Sequence, residues 1–338
     1  MRLTMLILAA LLPAILAPGG RCADSDPNSK PAPRNAHEAK GDDKSSDADD
    51  SPSVAGAGPR RIGDADPRFW GPLTENQRSE AISALKKTAR KSADDLKHPL
   101  HLCESKCFLL YSDVSENDAS RYSSLLERVH AKLIEMFGLE KTENVFRGKA
   151  LVFIFARIED YHLFERLCEN VDPGGSYGMT HCFGDGLVHM AFYRYPSDSQ
   201  FNHLLAHETV HGFLHRYRSP VYVVSWVNEG LADSLASELV PNKRRNKMTR
   251  GLVRAGLDQH GCALGDFFTA RQIDGWQYPI AETLCGWMIH HNSHGYLDFI
   301  NGIKDGQTWE ISLKRNFAMT SEQLSSDYGK TMEVKIRP

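Results

Sequence analysis

Apolar residues recur along this chain in two periods, and the alternation between them predicts a mixed fold. Thr74-x-x-Gln77 has the form of a capping box, and Ile82, Leu85, Ala89 and Leu96 follow it at helical spacing until Pro99. A short apolar run at Cys107–Ser112 predicts a strand. Ser115 then opens a long helix with Tyr122, Leu125, Leu126, Val129, Leu133 and Met136 on one stripe, closed by Gly138. Lys149–Ala156 is a nearly unbroken apolar run, which predicts a strand buried on both faces. Ile158–Cys168 reads as helix and Gly186–Tyr195 as a further strand. Between them, Gly174–Gly178 reads as a turn-rich loop flanked by Cys168 and Cys182.

From residue 200 onward the pattern is helical. LLAHETVHGFLHRY and WVNEGLAD are apolar helix-like runs, and Asn242–Lys247 between them and the tail is read as a solvated basic loop, with a turn region at Leu257–Gly265. Ile280–His291, His294–Ile303, Thr308–Phe317 and Ser321–Met332 complete a helical tail. The predicted class is therefore α+β: a small mixed sheet ahead of a helical C-terminal half.

The N-terminal 66 residues lack this periodicity. Met1-Arg2 followed by the apolar stretch Leu3–Ala17 has the form of a signal peptide, with cleavage after Ala23 or after Ala17, and fifteen apolar residues interrupted by Pro13 are short for a membrane span. Residues 24–66 are rich in Asp, Ser, Pro, Gly and Lys and read as a disordered linker. Residues 67–338 then form one folded domain, divided into an upper α/β part, 67–217, and a lower helical part, 218–338. The expected location is secreted, periplasmic or cell-surface. Cleavage after Ala23 leaves six cysteines, Cys103, Cys107, Cys168, Cys182, Cys262 and Cys285, and an even count in an exported chain predicts disulfides, taken here as 103–107, 168–182 and 262–285. The net charge of −3 over 338 residues gives no electrostatic case for nucleic acid or an anionic membrane surface.

The chemistry concentrates in His207-Glu208-Thr209-Val210-His211. On a helix, residues i and i+4 share a face, so both imidazoles can address one metal ion. Glu208 lies about 100° round the helix, where it is a poor ligand but can act as a general base. Glu229 and Asp233, again i and i+4, follow in the second helix. Glu229 can complete a His, His, Glu set with an open position for water, the donor set of a catalytic zinc site. Asp233 can accept the free ring N–H of a ligand histidine. His203 and His215 extend the histidine ladder but drift off the metal face, and are read as flanking residues.

HETVH followed by WVNEGLAD resembles the gluzincin zinc metallopeptidases, whose pattern is HExxH, a spacer, then N-E-x-x-x-D, and within them the peptidase MA-like domains. Seventeen residues separate His211 from Glu229, a slightly short spacer for the group. The resemblance covers roughly residues 100–335 and is concentrated in 203–235. It implies a two-lobe zincin-like fold with the sheet above the HExxH helix, 186–195 as the edge strand that aligns substrate, and one zinc ion held by His207, His211 and Glu229. It further implies Glu208 as the base that activates a zinc-bound water, Asn228 and Asp233 as supporting residues, and an oxyanion donor in the C-terminal part. Candidates for that donor are Tyr278, His290, His291, His294 and Tyr296, with Tyr278 favoured by its place in the pattern. Gly178-Met179-Thr180-His181 lacks the glutamate of the aminopeptidase motif Gly-x-Met-Glu-Asn, which points to an endopeptidase acting on a peptide or protein. Two other readings stand beside it: a peptidase-like binding module with little chemistry, and a zinc amidase acting on cell-wall peptides.

Overall fold

A computed structural model of the chain describes residues 70–336. The expected signal peptide, 1–23, and linker, 24–66, lie outside the described residues. The fold is α+β and mostly helical, built on a mixed five-stranded sheet.

Thr74 caps the first helix, α1 (Glu75–Leu96), through the capping box that its sequence predicts. A hairpin follows, β1 (His101–Glu104) and β2 (Phe108–Ser112), and then α2 (Glu116–Met136), capped by the Ser115 side chain. Next come β3 (Ala150–Phe155), α3 (Ile158–Leu167), β4 (Gly178–Cys182) and β5 (Val188–Tyr193). The strand order is β1-β2-β3-β5-β4, with β2, β3 and β5 parallel and the two outer strands antiparallel to their neighbours. All residues of β2 and β3 are buried, as continuous apolar runs in a covered parallel sheet must be.

Helices cover both faces. Leu85, Ala89 and Leu96 of α1 and Tyr161 and Phe164 of α3 pack with Leu109, Tyr111, Leu151, Phe153 and Phe155 on one side. On the other side lie α2 and α4 (Asp198–Arg216), the helix that carries HETVH. Two buried histidine–carboxylate contacts, His181 Nε2 to Glu165 Oε2 at 2.9 Å and His189 Nδ1 to Glu169 Oε1 at 3.0 Å, tie α3 and the residues after it to β4 and β5.

Two expectations about this sheet are corrected. The stretch 186–195 is not the edge: β5 lies between β3 and β4, and β4 is the outer strand beside α4. The turn-rich stretch before it ends at Tyr177, since Gly178–Cys182 is β4 itself. With Gly178 at its start and only Met179 and Cys182 apolar, this strand lacks the apolar and aromatic run that marks β5, so its sequence carries only a turn signal.

The lower part comprises α5 (Ser225–Leu239), α6 (Lys243–Gln259), α7 (Tyr278–His291), α8 (Ser293–Lys304), α9 (Trp309–Phe317) and α10 (Ser321–Met332). The basic run read as a solvated loop is instead the first turn of α6, capped by the Asn242 side chain on Arg245 N–H. Trp226 anchors this part, buried among Phe267, Phe268, Phe299 and Trp309. One continuous core runs from Cys107 to Ile336, so the upper and lower parts share it. No helix among the described residues is long and apolar enough to cross a membrane.

None of the three expected cysteine pairs is bridged. Cys107 Sγ faces His130 Nδ1 at 3.6 Å, and burial pushes its thiol up to about 12. Cys168 packs on the α1/α3 side of the sheet, whereas Cys182 is paired in register with Val188, which belongs to the opposite face. Cys285 points from α7 at α5, with Sγ 3.8 Å from the Trp226 carbonyl, while Cys262 sits in the turn after α6.

Candidate metal centre

The centre forms where α4 crosses α5. Helix α4 is buried along most of its length, between the sheet on one side and α2 and α5 on others, with Phe201, Leu205, Ala206, Val210, Phe213 and Leu214 in the core around the motif. Gly212, directly after His211, allows this close approach: a side chain there would press on Val188 of β5. Gly230, directly after Glu229, does the same between α5 and α7, where a β-carbon would overlap the Ala281 carbonyl and Cys285 Sγ. The turn joining α4 to α5 is held from below. Buried Lys304 of α8 donates to the carbonyls of Leu214 and Val221, each at 2.8 Å, and Arg218 forks onto Asp305. A cation bonded to the last carbonyls of α4 also suits the negative end of its dipole.

Three ligand atoms converge at this crossing. His207 Nε2 and His211 Nε2 are 2.9 Å apart, and each lies 3.4 Å from Glu229 Oε2. The edges of a tetrahedron around zinc, with bonds of about 2.05 Å, are about 3.3 Å, so the carboxylate already stands at ligand spacing and the imidazoles need to part only slightly. Glu229 Oε2 is buried and, apart from the two imidazole nitrogens at 3.4 Å, has no polar neighbour within hydrogen-bond reach, so a cation among the three atoms would satisfy it. Both outer ring nitrogens face acceptors: His207 Nδ1 is 3.2 Å from Asp233 Oδ1, and His211 Nδ1 is 3.1 Å from Asn228 Oδ1. Each imidazole can thus place its proton on Nδ1 and turn the Nε2 lone pair inward. The donor set and its geometry fit a zinc ion.

The charges reinforce one another. Burial alone would raise the Glu229 carboxyl, but the two imidazoles beside it hold it down to about 2. Burial likewise disfavours a charged His211, yet Glu229 outweighs it and raises that imidazole to about 9. His207 is raised well above its usual range, because the Asp233 and Glu229 carboxylates overcome its desolvation.

Glu208 is fully buried on the sheet side of α4. Thr180 Oγ1 of β4 lies 2.8 Å from Glu208 Oε2 and 2.9 Å from the Glu208 carbonyl oxygen. That partner was not legible in the sequence, since β4 itself was not. His203 bonds Asp233 through Nε2 at 2.9 Å, and His215 turns away to the Phe183 carbonyl at 3.0 Å. Tyr278 opens α7, half-buried against the core. α7 runs antiparallel to α5, with Cys285 beside Trp226, Ala281 beside Gly230 and Glu282 beside Ser237. The first two of these pairs set Tyr278 near the level of Asp233, about 6 Å along α5 from Glu229.

A small, shallow cleft of about 30 Å³, open to solvent, is lined by His211 and Asn228 together with Leu214, His215, Pro220, Val221, Tyr222 and Val223. Tyr222 is 46% exposed there, in the turn between α4 and α5, and no motif in the sequence marks it. A second group with metal-binding residue types, His98, Asp113 and Asp160, is half-buried at the far side of the sheet. Asp113 is already satisfied by His98 at 2.8 Å and by Ala156 N–H at 2.7 Å, which accounts for that pair without an ion. No protein-family model matches the chain, and no curated protein matches it in sequence.

Proposed function

We propose that this chain is a zinc-dependent metallopeptidase of gluzincin type, with a zincin-like fold, that hydrolyses internal peptide bonds. The observation that carries the reading is the convergence of His207 Nε2, His211 Nε2 and Glu229 Oε2 at near-tetrahedral spacing, with both Nδ1 atoms held by acceptors. An N, N, O set with an open position is the donor set of a hydrolytic zinc rather than of a closed structural one. When bound, the ion supplies Lewis acidity to the scissile carbonyl and to the attacking water.

The chain's own residues do the rest. Glu208 takes the proton of the attacking water and returns it to the leaving amine. Thr180 holds one oxygen of that carboxylate, so that the other has a defined direction. The oxyanion donor is assigned to Tyr222, which lines the cleft beside His211, in preference to Tyr278. Leu214, Pro220, Val221 and Val223 suit an apolar substrate side chain next to the cleaved bond. The outer strand β4 supplies a strand edge near the helix, along which an extended peptide can align. Signal-directed export remains part of the proposal on the strength of residues 1–23.

The test is metal content with activity. The purified chain should carry close to one zinc per molecule, lose peptide cleavage on chelation and regain it with stoichiometric zinc. Cleavage that persists in metal-stripped protein would defeat the reading.

A further inference from the structure

Arg245 belongs to the basic run that reads as solvent-facing, yet its guanidinium is turned inward from the first turn of α6. Nη2 lies 3.1 Å from Asp233 Oδ1, while Nη1 bonds Glu282 Oε1 of α7 and Ser237 Oγ of α5. Asp233 Oδ1 thereby meets three nitrogens: His203 Nε2 at 2.9 Å, His207 Nδ1 at 3.2 Å and Arg245 Nη2 at 3.1 Å.

One carboxylate oxygen cannot serve three donors equally well, so its direction is set by the most rigid of them. The planar fork of an arginine anchored at its other nitrogen is the most rigid partner available. His203 comes from the same helix as His207 and moves with it, whereas Arg245 reaches in from α6 and fixes Asp233 independently of α4.

We propose that Arg245 is a positioning residue of the metal centre: it clamps the Asp233 carboxylate in the orientation that accepts the His207 Nδ1 proton, and so sets the direction in which His207 Nε2 faces the metal. The inference rests on the metal site proposed above. It competes with a plainer role, in which Arg245 only staples α6 to α7 through Glu282. The two differ in what they change: a staple affects melting, a positioning residue affects metal affinity.

The experiment measures the zinc dissociation constant of the full chain by competition with a chromophoric chelator, alongside the melting temperature of the metal-free protein. The double variant R245Q/E282Q removes the arginine together with the carboxylate it would otherwise leave unpaired. It should bind zinc at least about tenfold more weakly than the unaltered chain, as loss of an outer partner of a metal ligand does. R245K keeps the charge without the fork and should fall between the two. Wild-type zinc affinity in R245Q/E282Q, or in an R245K protein that melts lower, would overturn the proposal. Absence of zinc binding by the unaltered chain would instead remove the metal site on which it rests.

Discussion

Thr180 Oγ1 stands 2.8 Å from Glu208 Oε2, so an outer strand of the sheet holds the acid of the HETVH motif. The hydroxyl carries a single proton and lies equally close to the Glu208 carbonyl, so it serves one acceptor at a time.

Replacing Thr180 by Val keeps the shape and removes the donor. A hydrogen bond to a charged group is worth about 1.5–3 kcal/mol, so kcat should fall by roughly ten- to a hundredfold while bound zinc stays at the wild-type level. T180S should retain most of the activity. Steady-state kinetics with zinc quantified in each preparation checks this; unchanged kcat in T180V would show that the contact does not serve Glu208.

In the proposed site, protons and zinc would compete for the same ring nitrogens. Without metal, His211 is raised to about 9 and His207 also lies well above its usual range, in each case because neighbouring carboxylates outweigh burial. Below that pH zinc must displace a proton from His211 to bind, so affinity should climb with pH by up to about tenfold per unit for each proton displaced, the His211 contribution flattening near 9. Chelator competition at pH 6, 7 and 8 reads the slope. A flat profile would mean that the imidazoles are not the ligands.

The choice between Tyr222 and Tyr278 as oxyanion donor is open to direct kinetics. Loss of one such donor costs about a hundred- to a thousandfold in kcat. Y222F should show a loss of this order with little change in KM, and Y278F, at a residue that does not line the cleft beside His211, should stay within about threefold of wild type. The reverse ranking would restore Tyr278 to the role.

His130 provides a pH dependence of stability remote from the metal. It is buried among Phe108, Phe146 and Phe213, and burial lowers its imidazole from 6.5 to about 4. Between these values the unfolded chain binds the proton and the folded chain does not, so stability is lost as pH falls from about 7 towards 4 and levels off below. The shift corresponds to about 3 kcal/mol at most. Urea denaturation of the metal-free protein at pH 7 and pH 4.5 should show a smaller loss for His130→Phe than for wild type; equal losses would place the acid sensitivity elsewhere.

Much of this architecture is legible in the chain, and the exceptions share a cause. The capping box at Thr74, the Ser115 cap and the apolar run at 150–155 are local signals, and each has its element in the structure. Glu229, His207 and His211 are brought together by helical spacing within each run plus a single crossing of α4 and α5. β4 was missed because a short edge strand with Gly178 and two polar residues is defined by its pairing with β5, not by its own composition. Arg245 was misplaced because a basic run looks solvated until Asp233 and Glu282 are known to lie beneath it. The disulfides failed for a similar reason: sequence neighbours such as Cys168 and Cys182 sit on opposite faces of one sheet.

The most direct test of the central claim sets the zinc-loaded protein beside its E208Q variant on an unbiased peptide mixture, with bound zinc measured in both. Removal of a general base costs roughly a hundred- to ten-thousandfold. The expected result is cleavage by the wild type, near-complete loss in E208Q, and equal zinc in the two. Equal cleavage by both proteins, or no cleavage by either with zinc bound in each, would contradict a peptidase that works through Glu208.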